Sequence, residues 1–224
     1  MSSFASTVLS GTKGMSMNRP PLFTRRAALI GAAAAPFITS SAPAANAALD
    51  PRLVLDDATA PILGNPKGDL KIAVFFDYQC PYCRKAEPGL LQIAWDDGQI
   101  GLVMKDWPIF GEVSMRMAQL AWSAQHQGRY AELHAALMTT RGRPGPDELE
   151  AIAAQAGLDV GRIKADMFRD RDTFAALIHR TNDQALAFRF PGTPAYVVGR
   201  FVFPGVLDDG GFRQAISDAR AAKK

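Results

Sequence analysis

Cys80-Pro81-Tyr82-Cys83 constrains this 224-residue chain more than any other stretch, because it holds the only two cysteines. It follows closely on an apolar run, Leu70 to Phe76, that reads as a buried strand. Two thiols three positions apart meet on the first turn of a helix, where they can cycle between dithiol and disulfide. A bridge across so short a loop removes little entropy from the unfolded chain, so its worth as a staple is small. Its worth is chemical. A strand, then C-x-x-C, then a helix is the arrangement of a redox-active pair.

The same residues weigh against other chemistries. A zinc ribbon needs a second C-x-x-C or a Cys/His pair at ligand spacing. There is no further cysteine, and His126, His134 and His179 are far apart, so no intrachain metal site and no cofactor are expected. His126 stands near a helix end, where the C-terminal dipole suits it; His134 and His179 read as surface or boundary residues. Met115, Met117, Met138 and Trp122 read as helix core rather than a metal site.

Residues 1–47 have the character of an export signal. Arg25-Arg26 precedes a twelve-residue apolar stretch, Ala27 to Ile38, and Ala45-Asn46-Ala47 supplies an A-x-A cleavage pattern. The stretch is too short to span a bilayer. The arginine pair resembles a twin-arginine signal, though Ala28 stands where that motif favours Phe; general secretion is the other route. Four of the 25 basic residues and none of the 22 acidic ones lie in this segment, so residues 48–224 carry a net charge of −1. The basic pI of about 9.0 therefore belongs mostly to the leader, and a nucleic-acid partner loses its support. No later stretch reaches membrane-spanning length. An exported C-x-x-C protein sits where disulfides form and persist, such as a periplasm.

Residues 48–224 suffice for one domain with a real core. Ala48 to Gly68 is rich in Pro, Asp and Gly and reads as a lead-in without a long element, with Ile62 and Leu63 tucked against the core. Leu70 to Phe76 is apolar in the manner of a strand covered on both faces. A helix from Pro81 to about Trp95, bent at Pro88, leads through Asp96-Asp97-Gly98 to a parallel strand, Ile100 to Lys105. Between about 111 and 189 five short helical patterns follow one another. Ala195 to Val198 and Phe201 to Phe203 then read as a hairpin, and Asp209 to Ala222 as a last helix. The pattern is α/β: a βαβ half, a helical insertion and a ββα half.

Three stretches together carry a family resemblance: Phe75 to Cys83, Lys105 to Gly111, and Gly192-Thr193-Pro194-Ala195-Tyr196. In this order the chain resembles the DsbA-like branch of the thioredoxin superfamily, especially its copper-sensitivity-suppressor relatives, from about Leu63 to Gly205. The resemblance implies a thioredoxin-like fold and a thiol–disulfide oxidoreductase. It makes Cys80 the nucleophile at a helix N-terminus, with Pro81 at the first helical position and Cys83 as the buried resolving thiol. Tyr82 implies a milder potential than His would at that position. Pro194 takes the place of the family's cis-proline, with the Thr193 backbone beside the disulfide receiving an extended substrate chain. Implied partners are exported cysteine-containing polypeptides and a membrane redox protein that recharges the pair; oxidase and isomerase both remain open. A binding module holding Cu(I) on the same two thiols is the competing reading.

One departure stands out. Relatives commonly place a buried Glu six residues before the first cysteine, where this chain has Val74. The neighbouring Lys105 is then expected to pair with Asp106 or to face water. Cleavage after Ala47 predicts that protein recovered from the periplasm begins at Ala48. Replacing Arg25 and Arg26 by Lys should block export only on the twin-arginine route; a full-length N-terminus found only in the cytosol contradicts the export reading.

Overall fold

The computed structural model describes residues 50–223; the expected export segment at 1–47 lies outside them. The described chain opens with one helical turn, Arg52–Leu55 (α1), and a short strand, Ile62–Gly64 (β1). The strands Leu70–Phe76 (β2) and Ile100–Asp106 (β3) flank the helix Pro81–Asp97 (α2). Helices Glu112–Ser123 (α3), Tyr130–Thr139 (α4), Pro146–Gln155 (α5), Val160–Arg169 (α6) and Arg171–Ala187 (α7) follow. Strands Ala195–Val198 (β4) and Phe201–Pro204 (β5) and the helix Asp209–Ala221 (α8) complete the fold. Among the described residues no helix is long and apolar enough to cross a membrane.

The five strands form one mixed sheet in the order β1-β3-β2-β4-β5. β2 and β3 pair in parallel from Leu70↔Ile100 to Phe76↔Asp106, as the intervening helix requires. β4 lies antiparallel on the other side of β2, with Phe75 opposite Ala195. Every residue of β3 is buried and only Lys71 of β2 is half-buried, which explains their unbroken apolar character. Alternation then sorts the side chains. Ile72, Val74, Phe76, Leu102 and Met104 join the core that includes α2, α8 and the inserted helices. Ala73, Phe75 and Val103 meet Val54, Trp107, Ala185 and Phe190 on the opposite face.

The lead-in holds only short elements, and the tucking of Ile62 and Leu63 takes the form of sheet pairing: Ile62-Leu63-Gly64 is an edge strand antiparallel to β3. Two apolar residues are too few for a periodic signal, and the strand exists because its partner lies some forty residues on. Its turn is held close: Asn65 N–H donates to the Ile100 carbonyl at 2.8 Å. Gly64 has φ of 73°, and a Cβ there would stand 2.6 Å from the Ile100 oxygen. Helix α2 runs two residues past Trp95, with Pro88 inside it, and ends at Gly98 in the left-handed conformation. Met115 also departs from expectation: it is 38% exposed, while Met117, Met138 and Trp122 are buried.

Lys105 neither pairs with Asp106 nor faces water. Adjacent strand residues point to opposite faces, so Lys105 and Asp106 diverge. Lys105 Nζ meets Asp57 Oδ2 at 2.6 Å with both side chains almost fully buried, and Arg180 joins the same carboxylate at 3.0 Å. Burial raises the Asp57 pKa, but the hydrogen bonds from Lys105 and Thr59 and the charge of Lys105 bring it to about 2. Burial pulls the Lys105 pKa down against the opposing pull of Asp57.

Asp57→Asn should therefore lower the unfolding free energy by about 3 kcal/mol, read from urea midpoints, because Lys105 is left buried and unpaired. Adding Lys105→Met should recover most of that loss. The depressed pKa of Asp57 contributes stability that is complete above its ordinary value of 3.8 and is lost as the pH falls through about 2. Asp57→Asn should flatten that acid limb.

Candidate active site

β2 ends at Phe76, and the next residue organises the turn. Asp77 is buried; its carboxylate accepts from Gln79 N–H at 2.7 Å and from Phe110 N–H at 3.0 Å, tying the loop after β2 to the loop after β3. Its carbonyl accepts from Cys80 N–H at 3.0 Å. Cys80, with extended backbone, is thereby set as the N-cap of α2, and Pro81 occupies the first turn, where its missing N–H has no partner to lose. The Cys80 sulfur accepts from Cys83 N–H at 3.4 Å, as a capping Ser or Asp oxygen would.

The second half of the site comes from far along the chain. The antiparallel register of β4 on β2 carries the Thr193-Pro194 loop to the end of the sheet where α2 begins. The Thr193-Pro194 bond is cis. The Cys80 thiol donates to the Thr193 carbonyl at 3.3 Å across 113 residues of sequence. Cys80, Pro81, Tyr82, Cys83, Thr193 and Pro194 are thus brought into one neighbourhood. Tyr82 points outward, 63% exposed. Both cysteines are free thiols, only 1% and 3% exposed, so an incoming sulfur must displace a covering group before it reaches either.

Electrostatics separate two cysteines that burial does not. The Cys80 pKa falls to about 6, first because Cys83 hydrogen-bonds to it. Burial opposes the shift; the Thr193 side chain and the backbone N–H groups of Cys83 and Tyr82 add to it. The Thr193 hydroxyl is free to serve, since it has no other partner among the described residues. Cys83 moves the opposite way, far above the usual thiol range, because its proton is held toward Cys80 and because it is buried. One thiol is acidic and its neighbour is a poor acid.

Beneath the pair lies a polar cluster that the sequence reading missed. His134, expected at the surface or a boundary, is 1% exposed and faces inward from α4. Its Nδ1 lies 2.8 Å from the Tyr78 hydroxyl and 3.5 Å from that of Tyr130, and its Nε2 meets Glu87 Oε1. The set is satisfied when Tyr78 donates to Nδ1 and Nε2–H donates to the Glu87 carboxylate. Burial pushes both tyrosine pKa values well up, so they stay neutral donors. Asp106 is buried nearby without a hydrogen-bond partner for either oxygen among the described residues; burial, then the charge of Asp77, pushes its pKa well up. The available signals were helical spacings: Tyr130 to His134 on α4, and Cys83 to Glu87 on α2.

Comparison with known proteins bears on this arrangement. The model of the DSBA-like thioredoxin domain family matches residues 71–217. The chain belongs to the DsbA-like family. The thiol:disulfide interchange protein DsbA of Bordetella parapertussis is 30% identical over 191 residues, covering 83% of this chain and 88% of that protein. A thioredoxin-like oxidoreductase from Silicibacter pomeroyi superposes with a TM-score of 0.72 at 35% identity, covering 76% of this chain and 97% of that one. A Na(+)/H(+) antiporter, NhaA 1 of Salinispora arenicola, is 27% identical over 142 residues, 61% of this chain. The match spans only 21% of the antiporter's length.

Within this DsbA-like site, reduced protein should show one thiol whose alkylation rate is half-maximal near pH 6, assigned to Cys80 by mass analysis. Thr193→Val removes a hydroxyl that favours the thiolate and should move that midpoint upward. A faster-alkylated Cys83 contradicts the division of roles.

Proposed function

We propose that this protein is a periplasmic thiol–disulfide oxidoreductase that introduces or rearranges disulfides in exported proteins. The observation that carries the reading is the pairing of an acidic, helix-capping Cys80 with a buried, poorly acidic Cys83 beside the Thr193 carbonyl. In the oxidised form, a substrate thiolate attacks the Cys80 sulfur. The Cys80–Cys83 bond breaks, Cys83 leaves with the electron pair and takes a proton, and substrate and Cys80 share a mixed disulfide. A second substrate thiolate then attacks the substrate sulfur of that bond and releases Cys80 as a thiolate. Two electrons have passed from the substrate dithiol to the cysteine pair, and a membrane redox partner removes them.

A Cys80 pKa near 6 favours the oxidising direction. Only depression below the ambient pH counts: at pH 7 the reduced form gains at most about 1.4 kcal/mol, or about 30 mV. The sign follows from linkage. The gain vanishes as the pH falls through about 6 and grows as it rises toward the ordinary thiol value of 9.0. In this reading residues 1–47 are the export leader and residues 48–224 the active domain, with Pro81 and Tyr82 shaping the helix start and Thr193-Pro194 receiving the substrate backbone.

Cys83→Ala protein should accumulate mixed disulfides with exported polypeptides through Cys80, and Cys80→Ala should capture none. The wild-type protein should catalyse insulin reduction or oxidative refolding. Stoichiometric Cu(I) binding by the cysteine pair without either activity would contradict the enzyme and support a copper-binding module.

A further inference from the structure

The rim of the site carries positive charge that the exchange chemistry does not use. Arg141-Gly142-Arg143-Pro144-Gly145 joins α4 to α5, and the fold lays it against the catalytic turn. The contact is made by the residue before Cys80. With its amide oriented to satisfy both ends, Gln79 donates to the Gly142 carbonyl at 2.9 Å and accepts from Arg84 Nη2 at 3.2 Å. A Cβ placed on Gly111, the residue after Phe110, would stand 4.0 Å from Arg143 Nη2. Arg141 and Arg143 are exposed on either side of the anchored Gly142. Arg84, next to Cys83, is half-buried and its Nε–H donates to the Tyr78 carbonyl at 2.6 Å. Lys85 is exposed on the face of α2 that carries Pro81 and Tyr82.

These charges lack partners within the protein. Arg116, Arg129, Arg162 and Arg169 of the helical insertion each meet a carboxylate, whereas Arg84, Lys85, Arg141 and Arg143 form no ion pair among the described residues. The nearby acids are otherwise engaged. Asp77 is buried and accepts from the N–H groups of Gln79 and Phe110, and Glu112 pairs with Arg116. Asp147 and Glu148 stand in the first turn of α5, where the helix dipole favours them. Nor do the arginines serve the Cys80 thiolate. Its acidity comes first from the Cys83 hydrogen bond and then from Thr193 and Tyr82, with no guanidinium among the leading causes.

We infer that this rim, through Arg141 and Arg143, selects substrates whose reactive cysteine is flanked by Asp or Glu. The inference rests on the thiol–disulfide exchange reading above and names its substrate class. An acidic flank is attracted while the substrate sulfur approaches Cys80, before any bond changes, so the gain falls on the encounter. The forked N–H groups of a guanidinium match a carboxylate and orient the flank as well as attracting it. A basic flank meets the same charges as repulsion, so the discrimination has an attractive and a repulsive side. Salt screens both, since the Debye length is about 8 Å at physiological ionic strength and about 3 Å at 1 M.

The test uses the oxidised full chain and dithiol peptides of equal length in which Glu, Gln or Lys flanks the cysteines. Two electrons and two protons pass from the peptide dithiol to the Cys80–Cys83 disulfide, giving the peptide disulfide and the reduced protein. Each rate is divided by that peptide's rate with uncharged hydroxyethyl disulfide, which removes the effect of the flank on thiol ionisation. At low salt the acidic peptide should react about tenfold faster than the neutral one and the basic peptide slower, the lower end of electrostatic steering. Salt at about 1 M should erase the preference. Arg141→Gln with Arg143→Gln should bring the three rates together without moving the Cys80 alkylation midpoint. Arg141→Glu with Arg143→Glu should invert the order. Equal rates in the wild type, or a preference that survives the double Gln variant, overturns the inference and leaves the exchange reading intact. A loss shared equally by all three peptides also overturns it, because the arginines would then serve the site rather than the substrate. A wild-type chain that oxidises no peptide overturns both.

Discussion

The hydrogen bond from Cys83 N–H to the Cys80 sulfur is the contact on which the rest of the site depends. The sulfur takes the place of the oxygen that caps most helices, so the cap that starts α2 also favours the Cys80 thiolate. The geometry is imposed from outside the C-x-x-C stretch. Asp77 clamps the turn through Gln79 and Phe110, and its carbonyl orients Cys80 N–H. β4 brings Thr193 against the same sulfur through its pairing with β2. Sheet register, turn and cap agree on one position for one atom.

The sheet also keeps two buried charge systems apart. Lys105, Asp57 and Arg180 form an ion cluster on the face carrying Phe75 and Trp107. On the other face Glu87, His134, Tyr78 and Tyr130 form a hydrogen-bonded chain beneath the cysteines. Strand alternation separates them, since neighbouring residues Lys105 and Asp106 project to opposite sides. The first cluster acts on stability and fastens the lead-in segment to β3 and α7. The second reaches the cavity beneath Cys83 through Glu87.

Much of this is legible in the sequence. Leu70 to Phe76 announced a doubly covered strand because it lacks polar alternation, Ile100 to Lys105 its parallel partner, and the inserted helices kept their spacing. The cysteine run and Thr193-Pro194 stood out as motifs, although only folding shows them to be neighbours. The losses have physical causes. β1 has two apolar residues and takes its identity from pairing with β3. The spacing of His134 from Tyr130 within α4 is a weak signal of a shared face; what holds it inside are Tyr78, 56 residues earlier, and Glu87, 47 residues earlier. The Lys105 partner was missed: alternation argues against Asp106, and Asp57 lies 48 residues earlier in a lead-in whose composition marks no long element to place it. The acid missing at Val74 was read from the family resemblance; the structure places a carboxylate from α2, Glu87, at the same cavity.

The account stands on a single acidic thiol in the reduced protein, and the equilibrium reduction potential measured against glutathione as a function of pH tests it most directly. Below the Cys80 pKa, reduction takes up two protons and the potential should fall by about 59 mV per pH unit. Above it only Cys83 is protonated, and the slope should halve to about 30 mV per unit. The break should fall near pH 6, where Cys80 titrates. An unbroken slope of about 59 mV per unit through pH 8 would show two ordinary thiols and contradict the account.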